Sequence, residues 1–236
     1  MISFTMGPTE PDILELPFTD AARGLRYRLS TSDDQASMRT IDSSFVTDRV
    51  FQLQSRISNL ELEDIGFGLD IKAVQLDTPL HKSFPDDEDS DGDDESPDCF
   101  TVVVEDTNTL STMDSPTIDP NTTGNNNKVV AFISAKFSSW NARLIITDIE
   151  ISPLYRRQGI GRNLIRFAEA LGSARWPVRH VWLEVSNVNY PAIQSYLKMG
   201  FEIAGLDVSL YVGTQAEGEF AIFMWKDVSG SAEAVS

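Results

Sequence analysis

The chain has 236 residues, 41% of them apolar, enough to build one full hydrophobic core. Its formal net charge of -17 argues against a nucleic-acid partner, which needs clustered cations, and its single cysteine, Cys99, excludes an intrachain disulfide framework. The two histidines, His81 and His180, lie far apart without cysteine partners, so no metal is expected, and no apolar run approaches the ~18 residues that cross a bilayer.

The N-terminal segment is acidic where a signal peptide would be basic, which predicts a cytoplasmic protein without a membrane partner. Residues 1–24 lack periodicity and read as a mobile tail; a single domain is expected over 25–228, with a second tail over 229–236. The run LRYRLS alternates as a strand. After it, TSDDQASMRTIDSSF reads as a helix capped by Thr31 or Ser32, with Met38, Ile41 and Phe45 at spacings of three and four. RVFQLQ and LDIKAVQL are a second amphipathic segment or a strand pair.

Residues 85–98 carry nine acids and no base, which accounts for about half of the net charge. Such a run cannot pack, because its like charges would be desolvated together, so it is expected as a solvated loop. The strand FTVVVE follows, then a second inserted loop over 106–127, rich in Asn, Thr and Ser. From Lys128 the elements become dense. VVAFISAKF and RLIITDIEIS are strands joined by a short turn at SSWNA. A helix with Ile160, Leu164, Phe167, Ala168 and Leu171 on one face comes next, with Gly172 placed to end it. HVWLEV is a strand, NYPAIQSYLKMG a helix, and FEIAGLDVSLYVG with GEFAIFMWK a closing antiparallel pair. Strands and helices alternate only in this half, so the expected class is α+β with a mixed central sheet flanked by helices.

Between the strand ending in DIEIS and the following helix stands YRRQGIG, residues 155–161. Glycines at 159 and 161 let a ligand approach the backbone, and a helix starting there aims free N–H groups and its positive dipole end outward. Arg156, Arg157 and Arg162 add positive charge, so an anion cradle is predicted. No Lys followed by Ser or Thr comes after the glycines, and position 164 is leucine, which excludes a nucleotide P-loop and a dinucleotide fingerprint.

The pattern Arg156-x-x-Gly159-x-Gly161 resembles the pyrophosphate loop of the Gcn5-related N-acetyltransferases. A second match, Asn189, Ala192, Tyr196, Gly200 and Phe201, resembles the Asn-x-x-Ala-x-x-x-Tyr-x-x-x-Gly-Phe helix of the same superfamily. Together with SSFVTDRVF, the acidic run, TDIEISPLYRRQGIGR, HVWLEVSNVNYPAIQSYLKMGF and GLDVSLYVGT, the chain looks like the nourseothricin (streptothricin) acetyltransferases. It differs from them in a longer N-terminal tail and an insertion between Thr107 and Lys128.

The resemblance implies that acetyl-coenzyme A is the co-substrate. Its pyrophosphate would lie on Arg156, Arg157, Gln158, Gly159, Ile160, Gly161 and Arg162, and its pantetheine arm on the backbone of Ile149 and Ile151 and on Asn189. It also implies acetylation of an amine on the β-lysine part of the antibiotic. Glu184, twelve residues before Tyr196 as in the ribosomal-protein N-terminal acetyltransferases, is the expected base, with a water as relay, and Tyr196 the expected acid toward sulfur. Glu184 as a partner of an arginine, and Tyr196 as a core aromatic, are the alternatives. Period-two alternation puts Trp182 and Glu184 on one strand face, and Asp148 and Glu150 on the face opposite Ile149 and Ile151.

The two acids, with Asp207, would face a cationic acceptor, or else form a solvated edge. Trp140 would wall the acceptor pocket or belong to the core. Two other readings stay open: a protein N-terminal, lysine or polyamine acetyltransferase, and a coenzyme-binding module without chemistry, against which the presence of both Glu184 and Tyr196 counts. A monomer or a homodimer is expected.

Overall fold

The apolar, β-branched runs form strands, and in the computed structural model, which describes residues 15–59, 65–83, 96–108 and 128–229, eight of them make one sheet. In chain order the strands are β1 (Phe18–Asp20), β2 (Leu25–Leu29), β3 (Phe45–Asn59), β4 (Ile65–Lys82), β5 (Cys99–Asp106), β6 (Lys128–Ser138), β7 (Arg143–Ile151), β8 (His180–Ser186), β9 (Glu202–Asp207) and β10 (Ala221–Asp227). The helices are α1 (Gln35–Met38), α2 (Ile160–Arg175) and α3 (Tyr190–Lys198). The large sheet runs β1-β2-β5-β6-β7-β8-β10-β9, and β3 and β4 pair in a second sheet of their own. The architecture is α+β with a mixed sheet, as expected, since β7 and β8 are parallel and the other neighbours antiparallel. Helix α2 makes the crossover that a parallel pair requires.

That parallel pair sets up the site. It is hydrogen-bonded only from Arg143 with His180 to Ile146 with Leu183. Beyond it β7 continues to Ile151 and β8 to Ser186, so the strands part where the pairing stops. The same stretch of β7 carries a bulge: Ser134 faces Asp148 while Ala135 faces Ile146, which leaves Thr147 as the extra residue. The bulge lets Ile149 and Ile151 continue the core-facing row of Leu144 and Ile146 and turns Asp148 and Glu150 to the other face.

The main core lies between the sheet and α2, where Leu164, Ile165, Phe167 and Ala168 meet Tyr27, Val102, Val104, Ile133 and Leu144. On the opposite face Val103, Val129 and Phe132 are covered by Met38 and Ile41. The segments read as a strand pair are β3 and β4. Strand β3 is tied to the main body at Phe51, whose N–H donates to the Asn187 carbonyl at 2.9 Å and whose own carbonyl accepts from Asn187 Nδ2 at 2.8 Å. No helix among the described residues is long and apolar enough to cross a membrane.

Three expectations are corrected. The tail over 1–24 contains β1, whose Phe18 packs on Tyr27 and Phe167 with ring centroids 5.9 and 5.8 Å away; three residues are too few to show a period. The helix expected over 31–45 is a single 3₁₀ turn and the four residues of α1. There Asp34 turns inward to a bidentate contact with Arg28, 2.7 Å on each side, and Phe45 opens β3 instead of closing a helix. Gly172 does not end α2, which runs on to Arg175; it is the point of closest approach to β7, where a Cβ would stand 2.7 Å from Leu144 Cδ2. The acidic run and the polar run lie outside the described residues except for their ends at 96–98 and 106–108.

Candidate active site

A cleft of about 770 Å³ opens where β7 and β8 separate, bounded by the N-terminus of α2 and by α3. Its anion-binding wall is built from backbone. After a 3₁₀ turn at Pro153–Tyr155 the chain is extended at Arg156, left-handed at Arg157 (φ 65) and left-handed again at Gly159 (φ 84). Gly159 is required by that angle, since nothing lies within 4 Å of a Cβ there. At Gly161 a Cβ would sit 3.2 Å from Ile151 Cδ1, a tight approach that would push that side chain by a few tenths of an ångström. The first N–H groups of α2 have no carbonyl partner within the helix and open on the cleft.

Arg156, Arg157 and Arg162 all line the cleft, and the Arg156 guanidinium in addition donates to the carbonyls of Ile151 (2.8 Å), Ser44 (2.5 Å) and Asp42 (2.9 Å). Arg156 thus fastens the loop to the segment before β3. Gln158 is similarly engaged, donating to the Leu154 carbonyl at 3.1 Å. Tyr155 anchors the loop to β5 by donating to Asp106 Oδ2 at 2.5 Å, and burial, then that carboxylate, push its phenol up to about 12. Ile149, Ile151 and Ile160 line the same cleft. Asn189 lines it as well and caps α3, its Oδ1 accepting from the Ala192 N–H at 3.2 Å.

The titratable groups converge from three elements. Tyr196, on α3, is 9% exposed, packs in the main core against Phe201 and also lines the cleft, so it is at once a core aromatic and a site residue. Burial first, then the negative charges of Asp148 and Glu184, raise its phenol, which keeps it protonated at neutral pH. Glu184 lies on β8 on the face away from Leu183 and Val185, as the alternation predicts. Glu184 is exposed at its surface, but the protein packed around its carboxyl partly desolvates and raises it, and the Tyr211 hydroxyl, which donates to Oε1, pulls in the other direction.

Asp148 is exposed at its surface, yet the protein packed around its carboxyl partly desolvates it and raises it as well. Glu150 is pushed up to about 7, first by burial and then by Asp148, with Arg156 opposing. Among the described residues no group of three His, Cys, Asp or Glu is placed to hold a metal ion.

Of the residues expected on the acceptor side, Trp140 stands away from the cleft, while Trp182 and Asp207 share the face of Glu184 and have partners of their own. Trp140 is 85% exposed on the turn between β6 and β7, at the opposite end of β7 from Asp148 and Ile151, because a hairpin puts its turn where the strand begins. It neither walls the cleft nor joins the core. Trp182 shares the face of Glu184 but is stacked on Phe223 at 4.9 Å with the Arg143 guanidinium 5.5 Å from its ring. Asp207 lies on that face too, in register with Ala221 and Ser186, but its Oδ1 accepts from the Ser209 N–H and hydroxyl, 2.7 Å each.

Sequence reasoning missed Tyr211, Ser186 and Glu219. Glu219 accepts from the Ser186 hydroxyl at 2.5 Å and pairs with Lys82 at the end of β4. The only signal for Tyr211 was an aromatic in a segment read as strand, and its contact to Glu184 depends on how the chain between β9 and β10 turns.

Residues 73–201 match the model of the Acetyltransferase (GNAT) family. The chain is 38% identical over 202 residues to a streptothricin acetyltransferase of Streptomyces lavendulae, covering 84% of this chain and 92% of that protein. Among solved structures it is similar to a nourseothricin acetyltransferase, with a TM-score of 0.66, 35% identity, and coverage of 86% of this chain and 98% of the other. A Bacillus anthracis protein assigned as a streptothricin acetyltransferase and solved with acetyl coenzyme A shares the fold at a TM-score of 0.60 and 23% identity, with the same coverage.

Proposed function

The chain belongs to the GNAT acetyltransferases and, within them, to the streptothricin acetyltransferases, and from that premise we propose that it acetylates an amine on the β-lysine part of streptothricin-class antibiotics. The observation that carries this reading is a cleft that joins a backbone anion cradle to Tyr196, whose phenol lies within the electrostatic reach of two carboxylates, Asp148 and Glu184. The residues present fit acetyl-coenzyme A: Gly159 and Gly161 keep the cradle open, Arg157 and Arg162 offer charge to its phosphates, and the β7 backbone at Ile149 and Ile151 flanks the cleft. When bound, the coenzyme supplies an acyl group activated as a thioester.

The protein side of the reaction is proton management. The acceptor amine is an ammonium near neutral pH and becomes a nucleophile only after losing a proton. Glu184, with its carboxyl raised by burial, takes that proton directly or through a water. Tyr196, protonated throughout, gives one to the departing sulfur. Asp148 and Glu150 hold a second cationic group of the acceptor, which favours a small polyamine-like molecule over a peptide.

The test is thiol release from acetyl-coenzyme A in the presence of nourseothricin, with mass spectrometry of the antibiotic. Gain of a single acetyl group on the β-lysine moiety is expected. Absence of turnover by a protein that binds the coenzyme would discard the antibiotic as substrate and direct the search to polyamine and peptide acceptors.

A further inference from the structure

Tyr211 belongs to neither motif, yet its hydroxyl touches the carboxylate assigned as the base. It sits in the connection between β9 and β10, where successive turns place it: the Val212 N–H donates to the Ser209 carbonyl and the Thr214 N–H to that of Tyr211, both at 3.1 Å. Both ends of this connection are fastened. Asp207 holds Ser209 at one end. At the other, Glu219 is gripped by Lys82 and by the hydroxyl of Ser186, two residues beyond Glu184 on the same face of β8. The connection is therefore tied to the strand that carries the base. Burial, then the hydrogen bond to Glu184 and the charges of Glu184 and Glu219, keep the Tyr211 phenol protonated, so it acts as a donor toward the carboxylate.

We propose that Tyr211 is a positioning residue for acetyl transfer: by donating to Oε1 of Glu184 it orients the carboxylate and holds it in its ionised, proton-accepting state. A charge-assisted hydrogen bond of this kind favours the anion over the neutral acid, offsetting part of the cost of burial. It engages one carboxylate oxygen, so the second is directed by the same contact. The inference rests on the reading of Glu184 as base, and its test separates the two.

The experiment is the pH dependence of kcat, with both substrates saturating, for the wild type, Tyr211→Phe, Glu184→Gln and the double variant. Loss of the hydroxyl should lower kcat at all pH values, and at least about threefold more near pH 6 than near pH 8.5, because the base then holds its proton to higher pH. Added to Glu184→Gln, the same change should have no further effect. A Tyr211→Phe profile parallel to that of the wild type, or a further loss in the double variant, overturns the proposal while the base assignment stands. A Glu184→Gln enzyme with the wild-type profile overturns the base assignment itself. If Tyr211→Phe no longer binds acetyl-coenzyme A, Glu219→Gln, which loosens the anchor of the connection, is used instead. It should show the same extra loss at low pH, and a loss of equal size at every pH refutes the role.

Discussion

Tyr196 is held by the core on one side and by charge on the other, and the two roles have separate consequences. Tyr196→Phe keeps the ring in place and removes the proton. It should lower kcat about 10²-fold, as removal of a general acid does, while the dissociation constant for acetyl-coenzyme A, measured by calorimetry, stays within about twofold. Glu150 gives a pH test with a definite sign. Burial and then Asp148 push its carboxyl up to about 7 from the ordinary 4.5, so the folded state binds the extra proton in that window and stability falls as pH rises through it. Glu150→Gln removes the cost of the buried charge. Its melting temperature should exceed that of the wild type at pH 8, with the gap closing toward pH 4.5. The acceptor KM should rise in the same variant if Glu150 holds a cation.

At the scale of the element, α2 combines two demands. Its N-terminus must face the cleft, which requires the left-handed Gly159, and its C-terminal half must lie close on β7, which requires Gly172. Alanine is the better helix former by about 1 kcal/mol, so helix propensity alone favours Gly172→Ala. The buried Leu144 side chain, fully enclosed, would have to yield to the new methyl, and overpacking of this kind costs about 1–3 kcal/mol. Packing should win, with a lower denaturant midpoint at an unchanged slope. Equal or greater stability would mean that Leu144 has room to turn.

For the molecule as a whole, the charge of -17 produces a field that attracts a polycation and repels an anionic coenzyme, which the cradle must bind by short-range contacts. Salt shortens the reach of that field to about 3 Å at 1 M from about 10 Å at 0.1 M. Steady-state kinetics between about 0.05 and 0.5 M NaCl should therefore show the acceptor KM rising several-fold while the acetyl-coenzyme A KM holds or falls. Equal changes in both would confine the acceptor's recognition to contacts inside the cleft.

What the amino-acid sequence determined by itself was everything carried by local spacing. The strand alternation, the face of α2, the glycines of the cradle, the cap at Asn189 and the separation of Glu184 from Leu183 all depend on neighbours a few residues away, where backbone geometry repeats. The tertiary structure decided whatever depends on long-range contact. Arg156 reads as a phosphate ligand, and only the fold shows that carbonyls more than a hundred residues earlier in the chain also engage its guanidinium. Trp140 reads as a pocket wall until the hairpin carries it to the far end of the sheet. Tyr211 has no pattern of its own and reaches Glu184, 27 residues away, only because the turns after β9 fold back over β8. A side chain's partner is set by the path of the whole chain, and no local period encodes that path.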